Sequence, residues 1–188
     1  MRDPIPGPTS LAEFEMLLRQ ADQKLELVEG QVLAFAGGSV AHGILCTRLV
    51  ASIAAATKPP CNTFTSDVAL RLAERTTHVF PDVSHTCEAL DPNASYIVAP
   101  DLIVEVISPE SKSRDRGEKL DAYQSIPSVM EYALVDLRRV WISVFRRMAA
   151  GVWTETTYGI GEKVELRTVG VTIDIAELYA GTGRLLGT

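Results

Sequence analysis

The 188-residue chain is 46% apolar and 22% charged, an ordinary balance for a soluble protein with a core of its own. A net charge of −6, from 24 acids against 18 bases, argues against a protein that coats DNA with a broadly basic surface. No apolar run reaches the roughly 20 residues of a bilayer span, and the first ten residues lack the apolar core of a secretion signal. A cytoplasmic protein without a membrane partner is therefore expected. Cys46, Cys61 and Cys87 are odd in number and widely spaced, which reads as free thiols and neither a disulfide framework nor a zinc knuckle.

With no repeat, low-complexity tract or long linker, one domain over 1–188 is expected, with 1–9 as a flexible lead. Ser10 followed by Glu13 is a capping box, and Leu11, Phe14, Leu17 and Leu18 recur at helical spacing, so a helix is predicted over 11–20. Leu25-Glu26-Leu27-Val28, the turn Glu29-Gly30 and the return Gln31 to Phe35 predict a hairpin. Gly37-Gly38-Ser39 leads into an apolar helix over 41–56, ended before Pro59-Pro60. Strands are predicted over 63–72, 77–87 and 101–108, followed by a helix over 113–125. Strands over 131–136 and 140–146 follow, then edge strands over 153–158 and 164–173. This order predicts a mixed central sheet flanked by helices, in the α/β or mixed α+β class.

The segment Asp101-Leu102-Ile103-Val104-Glu105-Val106-Ile107 carries a carboxylate among aliphatics. Strand alternation puts Asp101, Ile103, Glu105 and Ile107 on one face and Leu102, Val104 and Val106 on the other. Both faces are apolar, as in a central strand. A carboxylate there needs a cation beside it, whether lysine, arginine or metal, or it stays neutral. Asp82 poses the same question on the preceding strand, where Pro81 marks an edge, a bulge or a strand start. If the two strands are neighbours, Asp82 and Glu105 converge, and two carboxylates with waters are a typical Mg²⁺ donor set. Lys119, on the following helix, flanks the sheet and can reach the pair, positioning a water or stabilising charge on a phosphate.

The ordered set Pro81-Asp82, Pro100-Asp101 to Glu105-Val106, Ser108-Pro109, Arg114-Asp115 with Lys119 and Tyr123, then Glu131-Tyr132-Ala133-Leu134-Val135-Asp136, resembles the Uma-type restriction endonuclease family of the PD-(D/E)XK nuclease-like superfamily. Leu25 to Gly30 and His42 fit as well, so the resemblance spans about residues 10 to 180. It implies a restriction-endonuclease-like fold, DNA as substrate and Mg²⁺ or Mn²⁺ as cofactor. Asp82 and Glu105 would be metal ligands, with Lys119 beside them. Ile107 stands where the superfamily's Glu-x-Lys places its lysine, and Lys119 matches the position that supplies it in Uma-type sequences. Asp101, Glu29 and His42 are accessory candidates; Asp101 ranks lower because four residues span roughly 13 Å along a strand.

Two other readings stand beside the nuclease. One is a non-cleaving nucleic-acid-binding or interaction module on the same fold, motivated by the displaced lysine and the net charge. The other is a homodimer built on exposed edge strands, which would also suit cutting of two DNA strands. His78 and His85 carry no metal-type spacing and read as strand or loop surface. The pairs Arg138-Arg139 and Arg146-Arg147 read as exposed turn and edge charges.

Overall fold

The computed structural model describes residues 8–34, 38–109 and 111–184. At its start the capping box forms as expected. The Ser10 N–H donates to the Glu13 carboxylate at 2.9 Å, and the Glu13 N–H donates back to Ser10 Oγ at 3.3 Å. This opens α1 (Leu11–Gln20), whose buried residue is Phe14. Thr9, within the segment expected to be flexible, is buried and donates its N–H to the Gly30 carbonyl at 2.7 Å; residues 1–7 of that expectation lie outside the described residues. β1 (Leu25–Val28) and β2 (Gln31–Ala34) form the hairpin. Glu29 and Gly30 both take positive φ, 49° and 80°, the geometry whose twist suits a two-residue hairpin. Phe35, placed on the return strand, lies outside the described residues. Ser39 caps α2 (Val40–Ala56), which buries Leu45, Leu49 and Ile53.

Two expected strands are each broken in two. The 63–72 strand becomes β3 (Asn62–Thr65) and β4 (Ala69–Leu72), separated by a turn in which Val68 N–H donates to the Thr65 carbonyl. The 77–87 strand becomes β5 (Thr77–Val79) and β6 (Val83–Thr86). Pro81 lies at that break, where a residue without an N–H cannot continue a ladder. Each break moves the chain from one sheet to another. The first sheet has the order β2-β1-β5-β4-β7, with β7 at Tyr96–Ile97. The second is formed with β8 (Leu102–Ile107), β9 (Glu131–Asp136), β10 (Trp141–Arg147) and β11 (Trp153–Gly159), in the order β11-β10-β9-β8-β6-β3. β8 pairs antiparallel with β6 and parallel with β9, and all six of its residues are buried, as a central strand requires.

The expected 113–125 helix is α3 (Lys112–Asp115) and α4 (Glu118–Ser125), parted at Arg116-Gly117. β11 is an edge strand as expected. The 164–173 region is instead a separate ribbon, β12 (Lys163–Leu166) with β13 (Val171–Asp174), followed by α5 (Ile175–Tyr179). Two cores lie on the two faces of the second sheet. Leu102, Val104 and Val106 pack with α2, α5 and the ribbon. Ile103 and Ile107 pack with Tyr123, Tyr132 and the first sheet's Val28, Leu70 and Val79. No helix among the described residues is long and apolar enough to cross a membrane.

Several surface expectations are corrected by packing. His78 is buried among Phe14, Phe80 and Tyr96, and His85 is buried on β6. Arg138 and Arg139 are exposed, but Arg146 is buried against Glu131 at 2.8 Å. Arg147 donates to the carbonyls of Gln124, Ile126 and Val129 that follow α4 or close it. Cys61 and Cys87 are joined in a disulfide, not free thiols. Their separation of 26 residues hides the reason: β3 and β6 pair with Asn62 opposite Thr86, so the next rung sets the two cysteines against each other. Cys46 is a free, half-buried thiol whose pKa burial pushes up.

Candidate active site

The β6–β8 register sets Val83 against Val104, so Asp82 and Glu105 face each other one rung further on. Main-chain groups hold both. The Val106 N–H donates to Asp82 Oδ2 at 2.7 Å, and the Asp82 N–H approaches Glu105 Oε2 at 3.4 Å. Both carboxylates are buried, Asp82 at 7% and Glu105 at 5% exposure, where an ionised group needs compensation.

α4 supplies it. Its inner face carries Lys119, Ala122 and Tyr123 into the protein. Lys119 Nζ lies 3.0 Å from Glu105 Oε1, and the Tyr123 hydroxyl donates to the same oxygen at 2.9 Å. Lys119 also reaches Glu26 at 3.2 Å and Asp115, one turn back, at 3.7 Å. His42, in the first turn of α2, places Nε2 3.2 Å from Asp82 Oδ1. Asp82, Glu105, Lys119 and His42 are thus brought together, lining a cavity of about 470 Å³ with Glu26, Arg114 and Asp115.

Two accessory candidates lie elsewhere. Glu29 sits in the hairpin turn, paired with Arg75 at 2.6 Å, because its positive φ belongs to the turn and not to the strand. Asp101 precedes β8 and pairs with His85 at 2.6 Å. The hairpin's contribution is instead Glu26, which is 3% exposed and also accepts the Phe80 N–H at 2.9 Å. Leu25-Glu26-Leu27-Val28 carried the signal: a lone acid between aliphatics on a short strand, the pattern that marks Glu105. Asp115, part of the ordered family set, is also buried in the site.

The cluster is acid-rich. Glu26, Glu105 and Asp115 surround Lys119, and Asp82 adds a fourth buried carboxylate beside Glu105. Burial pushes the Glu105 carboxyl up to about 8; the Lys119 charge opposes this, while Asp115, Asp82 and Glu26 add to it. Burial, with Glu26 adding to it, likewise raises Asp115 against the lowering effects of Lys119 and Ser111. Burial alone would depress Lys119, but Glu105, Glu26 and Asp115 outweigh it and hold it well above the usual lysine range. The hydrogen bond to Asp82 raises His42. Oxygen donors with surplus negative charge in a cleft fit a hard divalent cation, which takes one or two carboxylates and keeps several waters.

Comparison with known proteins places this chain in a group. The chain is 30% identical to the uncharacterized protein slr1290 of Synechocystis sp. over 161 residues, 85% of each chain. It is 28% identical to the uncharacterized protein sll1609 of the same organism, over 82% of this chain and 89% of that one. The crystal structure of a putative nuclease belonging to DUF820 from Anabaena variabilis superposes with a TM-score of 0.76 at 18% identity. That match covers 93% of this chain and 99% of the other, and shows the shared fold. The model of the Uma2 family, described as "Putative restriction endonuclease", matches residues 11–176. With the family pattern running through nearly the whole chain and its Asp, Glu and Lys drawn into one cleft, this protein belongs to the Uma2 family.

Proposed function

We propose that this chain is a divalent-metal-dependent endonuclease that hydrolyses DNA phosphodiester bonds. Asp82 and Glu105 would hold Mg²⁺ or Mn²⁺. The observation that carries the reading is the meeting of Asp82, Glu105 and Lys119 in one acid-rich cleft, from three separate elements. Glu105 has Oε1 occupied by Lys119 and Tyr123, so Oε2, met by the Asp82 N–H at 3.4 Å, is the oxygen it would offer a cation. Asp82 is fixed through Oδ2 by the Val106 N–H, which leaves Oδ1 to His42 or a cation. When bound, such an ion supplies Lewis acidity toward the phosphoryl oxygen and lowers the pKa of a water. Lys119 stays protonated and faces the carboxylate pair, where its charge stabilises the negative charge that develops on the phosphate. His42 orients Asp82. Arg114, lining the cavity, offers a guanidinium to a DNA phosphate.

Supercoiled plasmid is the first substrate to test, with Mg²⁺, Mn²⁺ or chelator. Nicking or linearisation that needs metal and disappears in Glu105→Ala and Lys119→Ala is expected. Cleavage retained by pure Glu105→Ala protein would sink the reading.

A non-cleaving nucleic-acid-binding module is supported by one observation. Ile107, at the superfamily's lysine position, is a core residue, and Lys119 is already engaged by three carboxylates. This reading predicts DNA binding indifferent to divalent metal, measured by fluorescence anisotropy with and without chelator. Metal-strict cleavage rejects it.

A further inference from the structure

Away from the carboxylate cleft, at the far end of the β3–β6 ladder, three metal-ligating side chains meet. Cys61 and Cys87 sit on facing rungs, one beyond the Asn62–Thr86 pair. His85 lies on β6 and Cys87 directly follows that strand, so continued alternation puts the two on one side. The ligand atoms of Cys61, His85 and Cys87 all lie within 4.8 Å of one another. We propose that in the reduced chain these three residues bind a thiophilic divalent cation of the Zn²⁺ type, at a site separate from the carboxylate centre.

Asp101 supports the proposal independently. Its Oδ1 lies 2.6 Å from His85 Nδ1, and His85 is only 3% exposed. A carboxylate that accepts a hydrogen bond from Nδ1–H fixes the tautomer and ring orientation and leaves Nε2 as a lone-pair donor, the usual outer-shell arrangement of a metal-bound histidine. Two thiolates and one imidazole suit Zn²⁺ and leave a fourth tetrahedral position. Cys87 is exposed and Cys61 half-buried, so water can fill that position.

The disulfide and the metal-bound pair exclude each other. Zn–S bonds of about 2.3 Å at a tetrahedral angle place the sulfurs about 3.8 Å apart, so the S–S bond must be cleaved first. An external dithiol does this by exchange: its two S–H hydrogens end on Cys61 and Cys87, and its own sulfurs become the disulfide. Metal binding then releases the two thiol protons to solvent. Either closure clips edge strand β3 to β6, the strand whose other end follows Asp82.

The test uses the full chain, reduced with excess dithiol, desalted without oxygen and titrated with Co²⁺ as an optical probe. A thiolate-to-metal charge-transfer band that saturates at one Co²⁺ per chain and is displaced by Zn²⁺ is expected, counted apart from any Co²⁺ held by the carboxylate centre, which gives no such band. The band should vanish in Cys61→Ser and Cys87→Ser, and persist in Cys46→Ser and Asp82→Ala. Asp101→Asn should weaken Co²⁺ binding roughly 10- to 100-fold. Absence of the band in fully reduced protein leaves a structural disulfide only and overturns the proposal, as does a band that survives Cys61→Ser or disappears with Cys46→Ser. Should a serine variant fail to fold, Asp101→Asn decides by competition with a chromophoric chelator, and unchanged affinity overturns the proposal.

Discussion

The Tyr123 hydroxyl lies 2.9 Å from Glu105 Oε1, on the same oxygen that Lys119 occupies. Tyr123 is fully buried, and its ring packs edge-on against Tyr132. Tyr123→Phe therefore removes one donor and keeps the packing. A stability loss of about 0.5–1.5 kcal/mol by urea unfolding is expected, with slower plasmid cleavage as Glu105 becomes less firmly held. Cleavage at the wild-type rate would show that Lys119 alone positions the carboxylate.

The two acids of the hairpin should behave oppositely. Glu26 touches Lys119, whereas Glu29 pairs with Arg75 in the turn. Glu26→Gln is expected to lower cleavage and weaken Mn²⁺ binding measured by calorimetry. Glu29→Gln should change neither, and cost no more than about 0.5 kcal/mol of stability. A Glu29→Gln chain that loses Mn²⁺ would restore the turn residue as a ligand.

Lys119 is the cation on which the cluster depends. Lys119→Met leaves Glu26, Glu105 and Asp115 buried without it, and breaking a buried pair from one side costs about 3–5 kcal/mol. Urea unfolding near neutral pH should read a loss of that size. A loss below about 1 kcal/mol would mean the carboxylates already share protons or reach water.

The raised pKa of Glu105 gives its contribution to stability a definite sign. Burial pushes the carboxyl up to about 8 in the folded chain, from 4.5 for an ordinary glutamate. The folded state holds the extra proton between those values, so this stabilisation is complete at low pH and is lost as pH rises through about 8. Glu105→Gln cannot titrate, and should flatten that part of the slope between pH 5 and pH 8 in chelator. His78 works in the opposite direction: burial lowers it to about 4, so stability rises with pH from there to 6.5. Comparing wild type with Glu105→Gln cancels the histidine, and equal slopes would refute the assignment to Glu105.

Arg147 donates 2.7–2.8 Å bonds to three main-chain carbonyls and lies over the Trp153 ring. Arg147→Ala should cost about 2–3 kcal/mol by urea unfolding, since hydrogen bonds to charged groups are the stronger kind. Arg139→Ala, in the exposed turn, should stay within about 0.5 kcal/mol. Equal effects would mean the carbonyls find water once Arg147 is gone.

Local signals in the sequence carried local structure. The capping box at Ser10, the Glu29-Gly30 hairpin and the central strand depend on neighbours a few residues apart; the first two form as expected, and the strand expected over 101–108 forms over 102–107. Asp82, Glu105, Lys119 and His42 were legible as a group because the ordered family pattern links them across long separations. The accessory candidate Glu29 lies in the turn while Glu26 lines the cleft, because a turn residue and a strand residue differ in φ, which an acid's identity does not report. The cysteine pair, Arg146, Arg147 and His85 were misread for one reason. Each takes its partner from cross-strand register or from a distant element, and periodicity along one strand is silent about both.

The Lys119 cluster joins the two sheets: Glu26 belongs to the first and Glu105 to the second. A buried ion network of this kind is often less stabilising than apolar residues of the same volume would be. Selection for thermal tolerance alone would therefore favour replacing the whole cluster with hydrocarbon, and would erase the cleft while improving the fold. A homologue that keeps all four acids and the lysine in a sturdy scaffold has been held there by something other than stability, and the seam between the sheets is where a search for inactive relatives should look first.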